Sequence, residues 1–124
     1  MLDTHFFPYF ISRMEEVEET SPKSFVYLIT DGNFVKIGVA DNIKNRLNGI
    51  QTGNPNKCKV ICAIPCKDSN SAFSLERKLH WEYRLRKKRG EWYDLITYID
   101  VESFKACFPP EDYVNEEDVF EIIT

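Results

Sequence analysis

A tyrosine, a lysine, an arginine and a glutamate each stand at the margin of an apolar stretch in this chain: Tyr27 in FVYLIT, Lys36 in FVKIGV, Arg46 in NIKNRLNGI and Glu76 in SLERKLH. Together these side-chain types are the components that hydrolysis of a phosphodiester requires. A base must activate water, cations must balance the charge on the phosphate, and a carboxylate must hold a divalent metal at the leaving oxygen. Each also has an ordinary reading. An edge-of-core tyrosine with a lysine snorkelling beside it, an exposed helix arginine and a surface glutamate occur in many proteins without such chemistry.

What decides between these readings is how the elements position the four residues. Two strands, about 24–30 and 33–39, flank Asp31-Gly32, a dipeptide suited to a two-residue type I′ turn because both positions tolerate positive φ. In that register paired residue numbers sum to 63, so Tyr27 lies opposite Lys36 and Gly38 lies opposite Phe25. A cation beside a phenol favours the phenolate and would ready Tyr27 as a proton acceptor. Val26, Leu28, Val35, Ile37 and Val39 fall on the other face, as a core surface.

Downstream, Asp41 or Asn42 caps a short helix with Ile43, Leu47 and Ile50 at helical spacing, which sets Arg46 beside its apolar stripe, and TGNP ends it. A third strand is expected at 57–64, with Cys58, Val60, Cys62 and Ile64 on one face. The longest helix is expected over 69–88, opened by Asp68 or Ser69, with Ala72, Leu75, Leu79 and Tyr83 as its stripe and Gly90 as its stop. At roughly 100° per residue Glu76 lies about 40° from the centre of that stripe and His80 about 80°. Arg77, Arg84, Lys87 and Lys88 spread over the same flank. Glu76 and His80 at i, i+4 suit a metal pair, an ion pair with a neighbouring cation, or plain surface. EWYDLI then reads as a strand or turn, followed by an amphipathic piece near 101–108 and a boundary at Pro109-Pro110.

The 124 residues suffice for one domain with a single core. The net charge of −4 conceals a division: residues 22–95 carry 14 Lys and Arg against 7 Asp and Glu, and the two ends together carry 2 against 13. Hence an acidic extension (1–21), a basic body (22–108) and an acidic tail (109–124) are expected, the body suited to a nucleic-acid or phosphate partner. The four cysteines, without a CxxC pair, read as buried and reduced. No apolar run is long enough for a membrane span and no leader pattern precedes FFPYFI, so a soluble, cytoplasmic protein is expected.

In the order and spacing of FVY, KIG, NIKNRLNGIQTGNP, SLERKLHWEYRLRKKRG and GEWY, residues 24–95 resemble the GIY-YIG endonucleases, most closely the small stand-alone phage and bacterial branch. Phe25-Val26-Tyr27 and Lys36-Ile37-Gly38 correspond to the two name-giving tripeptides, with Phe-Val in place of Gly-Ile and Lys36 where the second usually has Tyr. The resemblance implies an α+β fold, a small three-stranded antiparallel sheet flanked by helices. It also implies a metal-dependent DNA endonuclease using one Mg2+ or Mn2+ ion held by Glu76, with Tyr27 as general base, Lys36 tuning it and Arg46 on the phosphate. His80 matches a histidine of the close branch and is assigned to phosphate or the surroundings of the metal. Lys44, Arg77, Arg84, Lys87 and Lys88 are the expected DNA contacts. Two other classes of function are open to this sequence: a nucleic-acid-binding module of the same fold without turnover, and a protein-interaction domain that works through its acidic ends. Whether the chain acts as a monomer or a homodimer stays open.

Overall fold

Alternating aliphatic residues give the first two strands two distinct faces, and both faces are covered. In the computed structural model, which describes residues 24–95 and 116–118, β1 (Ser24–Thr30) pairs antiparallel with β2 (Val35–Ala40). Val26, Leu28, Val35 and Ile37 face one cluster of buried side chains, and Phe25, Tyr27, Ile29 and Ala40 face the other. The pairing differs from the expected one. Thr30 lies opposite Val35, so paired numbers sum to 65 and Tyr27 sits across from Gly38, with Lys36 across from Ile29. The cause is side-chain chemistry in a four-residue loop. Asp31 Oδ1 accepts the N–H groups of Asn33 and Phe34, both at 2.9 Å, and Thr30 Oγ1 accepts that of Gly32 while donating to the Phe34 carbonyl. With its amides satisfied locally, the wider loop displaces the two-residue turn.

Helix α1 (Ile43–Thr52) is capped by Asn42, whose side chain accepts from the Asn45 N–H, and ends at Gly53. Its Ile43 and Leu47 cover the Tyr27 face. Strand β3 (Lys59–Cys66) pairs with the far side of β1. There the register slips between Leu28 and Ile29, so Ile61 is an extra residue in β3. The bulge breaks the expected alternation: Cys58 and Val60 face the α1 side, whereas Cys62 and Ile64 face the opposite one. Cys58, Cys62 and Cys66 are all buried and unlinked.

Helix α2 (Ser69–Glu82) opens on Asp68, which accepts from the Ser71 N–H at 2.7 Å, and it buries Ala72, Leu75 and Leu79 against the Val26 face. It is shorter than the expected 69–88. The apolar stripe ends at Tyr83 and the next position on it is Lys87, so further helix would bury nothing. After a 3-10 turn (Arg84–Arg86) the chain instead forms a ribbon of β4 (Lys87–Arg89) and β5 (Trp92–Tyr93), turned at Gly90 with φ of 58°. β5 pairs with Val35 and Lys36, giving a five-stranded sheet of order β3-β1-β2-β5-β4 around the expected three-stranded centre. A second 3-10 turn, Glu116–Asp118, is tied to the body through Asp118, 2.9 Å from Lys57 Nζ. The expected acidic extension over 1–21, the amphipathic piece at 101–108, Cys107 and the rest of the acidic tail lie outside the described residues. No helix among the described residues is long and apolar enough to cross a membrane.

The Tyr27–Gly38 pairing makes a sharp packing claim. A Cβ added at Gly38 would overlap the Tyr27 hydroxyl and ring, whereas one added at Gly49, in the interior of α1, meets open space. Gly38→Ala is expected to cost about 1–3 kcal/mol through overpacking. Gly49→Ala is expected to add about 0.5–1 kcal/mol through helix propensity. Chemical denaturation of the two variants measures both, and equal effects would refute the pairing.

Candidate functional site

Because Gly38 has no side chain, the Tyr27 ring crosses β2 at that point and extends toward the edge of the strand. Its side chain is fully buried, and the Arg46 side chain is the hydrogen-bonding neighbour of its hydroxyl. Burial raises the phenol's pKa above the ordinary 10; Arg46 opposes the rise, and the negative charges of Glu91 and Glu76 add to it. The Arg46 guanidinium carbon stands 5.9 Å from the ring centre. Thus the cation that favours the phenolate comes from α1, not from the paired strand. Lys36 shares the Tyr27 face two positions along, and its ammonium is taken by other partners: Glu91 Oε1 at 3.2 Å and the face of Trp92 at 5.6 Å.

Around the edge of β2, on the α2 side, lies a second group. Glu76 and His80 project from consecutive turns of α2, with His80 Nε2 3.7 Å from Glu76 Oε2. The His80 Nδ1 is hydrogen-bonded to the Tyr93 hydroxyl, and the imidazole also hydrogen-bonds the backbone of Ile37, two contacts that hold the ring beside Glu76. Glu91 completes the group. The positive φ of Gly90 turns the chain back along β2, and the Glu91 carbonyl accepts the Ile37 N–H at 3.1 Å. One potential ligand atom from each of Glu76, His80 and Glu91 lies within 4.8 Å of the other two. Glu91 therefore joins the two sides of the site, touching Lys36 on one and Glu76 on the other.

The charges in this cluster are poorly compensated by protein groups. Glu76 is pushed up to about 7, first by burial and then by the charge and hydrogen bond of Glu91, with Lys36 opposing. Burial lowers the pKa of His80, against the pull of Glu91, so the imidazole is neutral at pH 7, the form that ligates metals. Two half-buried carboxylates and a neutral imidazole make an oxygen-rich set suited to a small divalent cation, which would replace the proton that Glu76 keeps.

The remaining sequence-assigned residues are more scattered. Lys44 and Arg77 are exposed on α1 and α2. Arg84 stacks on exposed Trp81, 3.7 Å from its ring centre, and donates to the Trp81 carbonyl. Lys87 and Lys88 stand on β4 with Arg89, not on the long helix, forming a basic outer strand. Sequence reasoning singled out Tyr27, Lys36, Arg46, Glu76 and His80 but not Glu91 or Tyr93. The only signal for these two was GEWY itself, a glycine turn followed by a carboxylate, since no periodicity links residues on either side of such a turn.

Residues 24–109 match the T5orf172 domain, and the chain belongs to that family, whose domain is found in phage-type nuclease-like proteins. No curated protein and no solved structure matches the chain.

The raised Glu76 pKa has a definite sign for stability. Between its ordinary 4.5 and about 7 the folded chain holds a proton that the unfolded chain releases, so this group makes stability fall as pH rises through that window. Glu76→Gln, which keeps the shape and cannot ionise, is expected to be more stable than the parent at pH 8 in EDTA, with the difference fading below about pH 4. Urea denaturation across that range tests it; a difference independent of pH would contradict the assigned environment.

Proposed function

We propose that this T5orf172-domain chain is a divalent-metal-dependent DNA endonuclease, with the site organisation of the GIY-YIG enzymes it resembles. The observation that carries the reading is the convergence at one strand edge of a buried phenol, its arginine neighbour and a carboxylate–imidazole–carboxylate cluster. In this reading Glu76, His80 and Glu91 hold Mg2+ or Mn2+. A bound ion would supply charge stabilisation at the leaving oxygen and would neutralise the carboxylates that, after burial itself, raise the Tyr27 pKa. Tyr27, having lost its own proton to solvent, accepts the proton of the attacking water on its phenolate oxygen. Arg46 supports the phenolate and binds a phosphate oxygen of the scissile group. Lys36 holds Glu91 in place through the 3.2 Å ion pair, so it positions a carboxylate instead of tuning the phenol. The basic side chains of β4, with Lys44 and Arg77, supply contacts to the DNA backbone.

A second reading rests on the complete burial of Tyr27 and its raised pKa: the phenol is a packing residue, and the chain binds nucleic acid without cutting it. The two readings diverge in one set of measurements. As an endonuclease, the chain nicks supercoiled plasmid with Mg2+ or Mn2+ and not in EDTA. Glu76→Ala lowers the rate by at least about a hundredfold while DNA affinity stays equal or rises, since a negative charge near the phosphate is gone. Tyr27→Phe costs about a hundredfold in single-turnover rate, the scale of general-base catalysis. It should change stability little, because the ring that fills the buried space is kept. DNA binding without metal-dependent nicking by the parent would establish the binding module.

A further inference from the structure

Beside the carboxylate cluster the sheet edge opens into a groove of about 480 Å³ between the hairpin loop, the C-terminal end of α1 and the β4–β5 ribbon. Its walls combine two aromatic side chains, Phe34 and Trp92, with three cations, Lys36, Lys88 and Arg89. Both aromatics are half-buried, while Lys88 and Arg89 are exposed on β4. The one carboxylate that lines it, Asp31, is engaged by the loop amides of Asn33 and Phe34 and lies 3.5 Å from the Asn54 amide, so its charge is directed into the loop. Aromatic surface rimmed by cations is the chemistry that holds a nucleotide, the base against a ring and the phosphates on ammonium and guanidinium groups.

We propose that this groove binds a single unpaired nucleotide of the DNA strand adjacent to the scissile phosphate, making the preferred substrate a duplex with an unpaired or displaced base. The inference rests on the endonuclease reading for the place of the phosphate and on the groove for everything else. Two connections tie groove and cluster together. Lys36 lines the groove and ion-pairs with Glu91, and Trp92 is the next residue in the chain after Glu91. A phosphate at the cluster therefore leaves the neighbouring nucleotide at the mouth of the groove. Inside an intact duplex both faces of every base are covered by its neighbours, so none is available to Phe34 or Trp92. Extracting one costs unstacking and unpairing, a cost that is least where the base is already unpaired. The basic rim serves any strand; the aromatic walls discriminate in favour of an unpaired one.

The test uses the full chain carrying Trp81→Phe, which leaves Trp92 as the only indole of the two in the sequence. Its emission is followed in EDTA during titration with a short single strand, an intact duplex, the same duplex with one unpaired nucleotide, and free deoxynucleoside monophosphates. Trp92 is expected to be quenched by the single strand and the bulged duplex, each bound at least about tenfold more tightly than the intact duplex, the scale of one base stacked on an aromatic ring. Trp92→Leu should bring that preference to near parity. Because Trp92 belongs to a strand, a second variant is taken from the exposed rim: Lys88→Glu should weaken single-strand binding and reduce its salt slope by about 0.7, the value for one phosphate contact on a single strand. Equal affinity for intact and bulged duplex, no change in Trp92 emission, or a Lys88→Glu variant that binds as the parent does would each overturn the proposal. So would monophosphates that bind as tightly as the strand, since the groove would then serve a free nucleotide. No cleavage is read in any arm. A chain that fails to nick plasmid leaves this test standing, and a chain that nicks without a Trp92 response loses only the groove.

Discussion

The bond from the Ile37 N–H to the Glu91 carbonyl, 3.1 Å long, is the constraint on which the site depends. β5 contributes only two residues to the ladder, pairing with Val35 and Lys36, so this additional contact extends a very short pairing past its last regular rung. It sets the Glu91 side chain at the strand edge between Lys36 and Glu76. Without the ribbon the sheet would consist of its three central strands, Glu76 and His80 would be an i, i+4 pair on a helix surface, and the aromatic groove would lack its outer wall. A peptide hydrogen bond is worth only about 1 kcal/mol net. Its importance here lies in placement: every residue of β4 is exposed, the buried Tyr93 of β5 anchors the ribbon to the core, and this bond continues the pairing as far as Glu91.

Placing Glu91 there has an electrostatic cost that packing does not explain. Two carboxylates brought together out of water repel unless one is protonated or a cation lies between them. The protein supplies one ammonium, Lys36, and Glu76 holds its proton up to about pH 7. A purely structural role for this corner would be met by an amide or an apolar pair at lower cost. The phenol is similar. Tyr27 buries a hydroxyl where a phenylalanine would fill the same space, with the Arg46 side chain beside it. Two costly arrangements, a buried phenol and a pair of close carboxylates, thus meet at one strand edge.

The sequence made the faces of the sheet legible but not its pairing. Alternation assigned Val26, Leu28, Val35 and Ile37 to one side and Tyr27 to the other, and these assignments survive because the true register differs by two residues, an even number that preserves parity. The choice between Asp31-Gly32 as a turn and Asp31 as the cap of a wider loop depended on whether its carboxylate would find the Asn33 and Phe34 amides, a local competition that composition does not decide. Both helix caps lay within the pairs the sequence offered, Asn42 out of Asp41 or Asn42 and Asp68 out of Asp68 or Ser69. The end of α2 was not, since the basic run after Tyr83 suits an exposed helix as well as an exposed strand. The bulge at Ile61 likewise leaves no mark in a run of apolar residues buried on both sides. Of the site, Tyr27, Lys36, Arg46, Glu76 and His80 could be picked out from their positions on element margins. Glu91 could not, because a residue brought into place by a turn has no periodic relation to the residues it meets.

Lys36 acquires a different meaning from this arrangement. Opposite Tyr27 it would have been a tuning cation. Opposite Ile29 it reaches past the ring to Glu91 and Trp92 instead, and Arg46 from α1 takes the place beside the phenol. The two cations thus serve opposite sides of the strand edge: a permanently charged guanidinium stands by the phenol, while a flexible ammonium neutralises a carboxylate. Exchanging them would put an ammonium beside the phenol and would leave Glu91 to a rigid fork. Replacing Lys36 with a tyrosine would remove the only ammonium that offsets the Glu76–Glu91 repulsion among the described residues and would raise the cost of keeping both carboxylates at the edge. In this chain the lysine and the second carboxylate therefore belong together, each making the other tolerable.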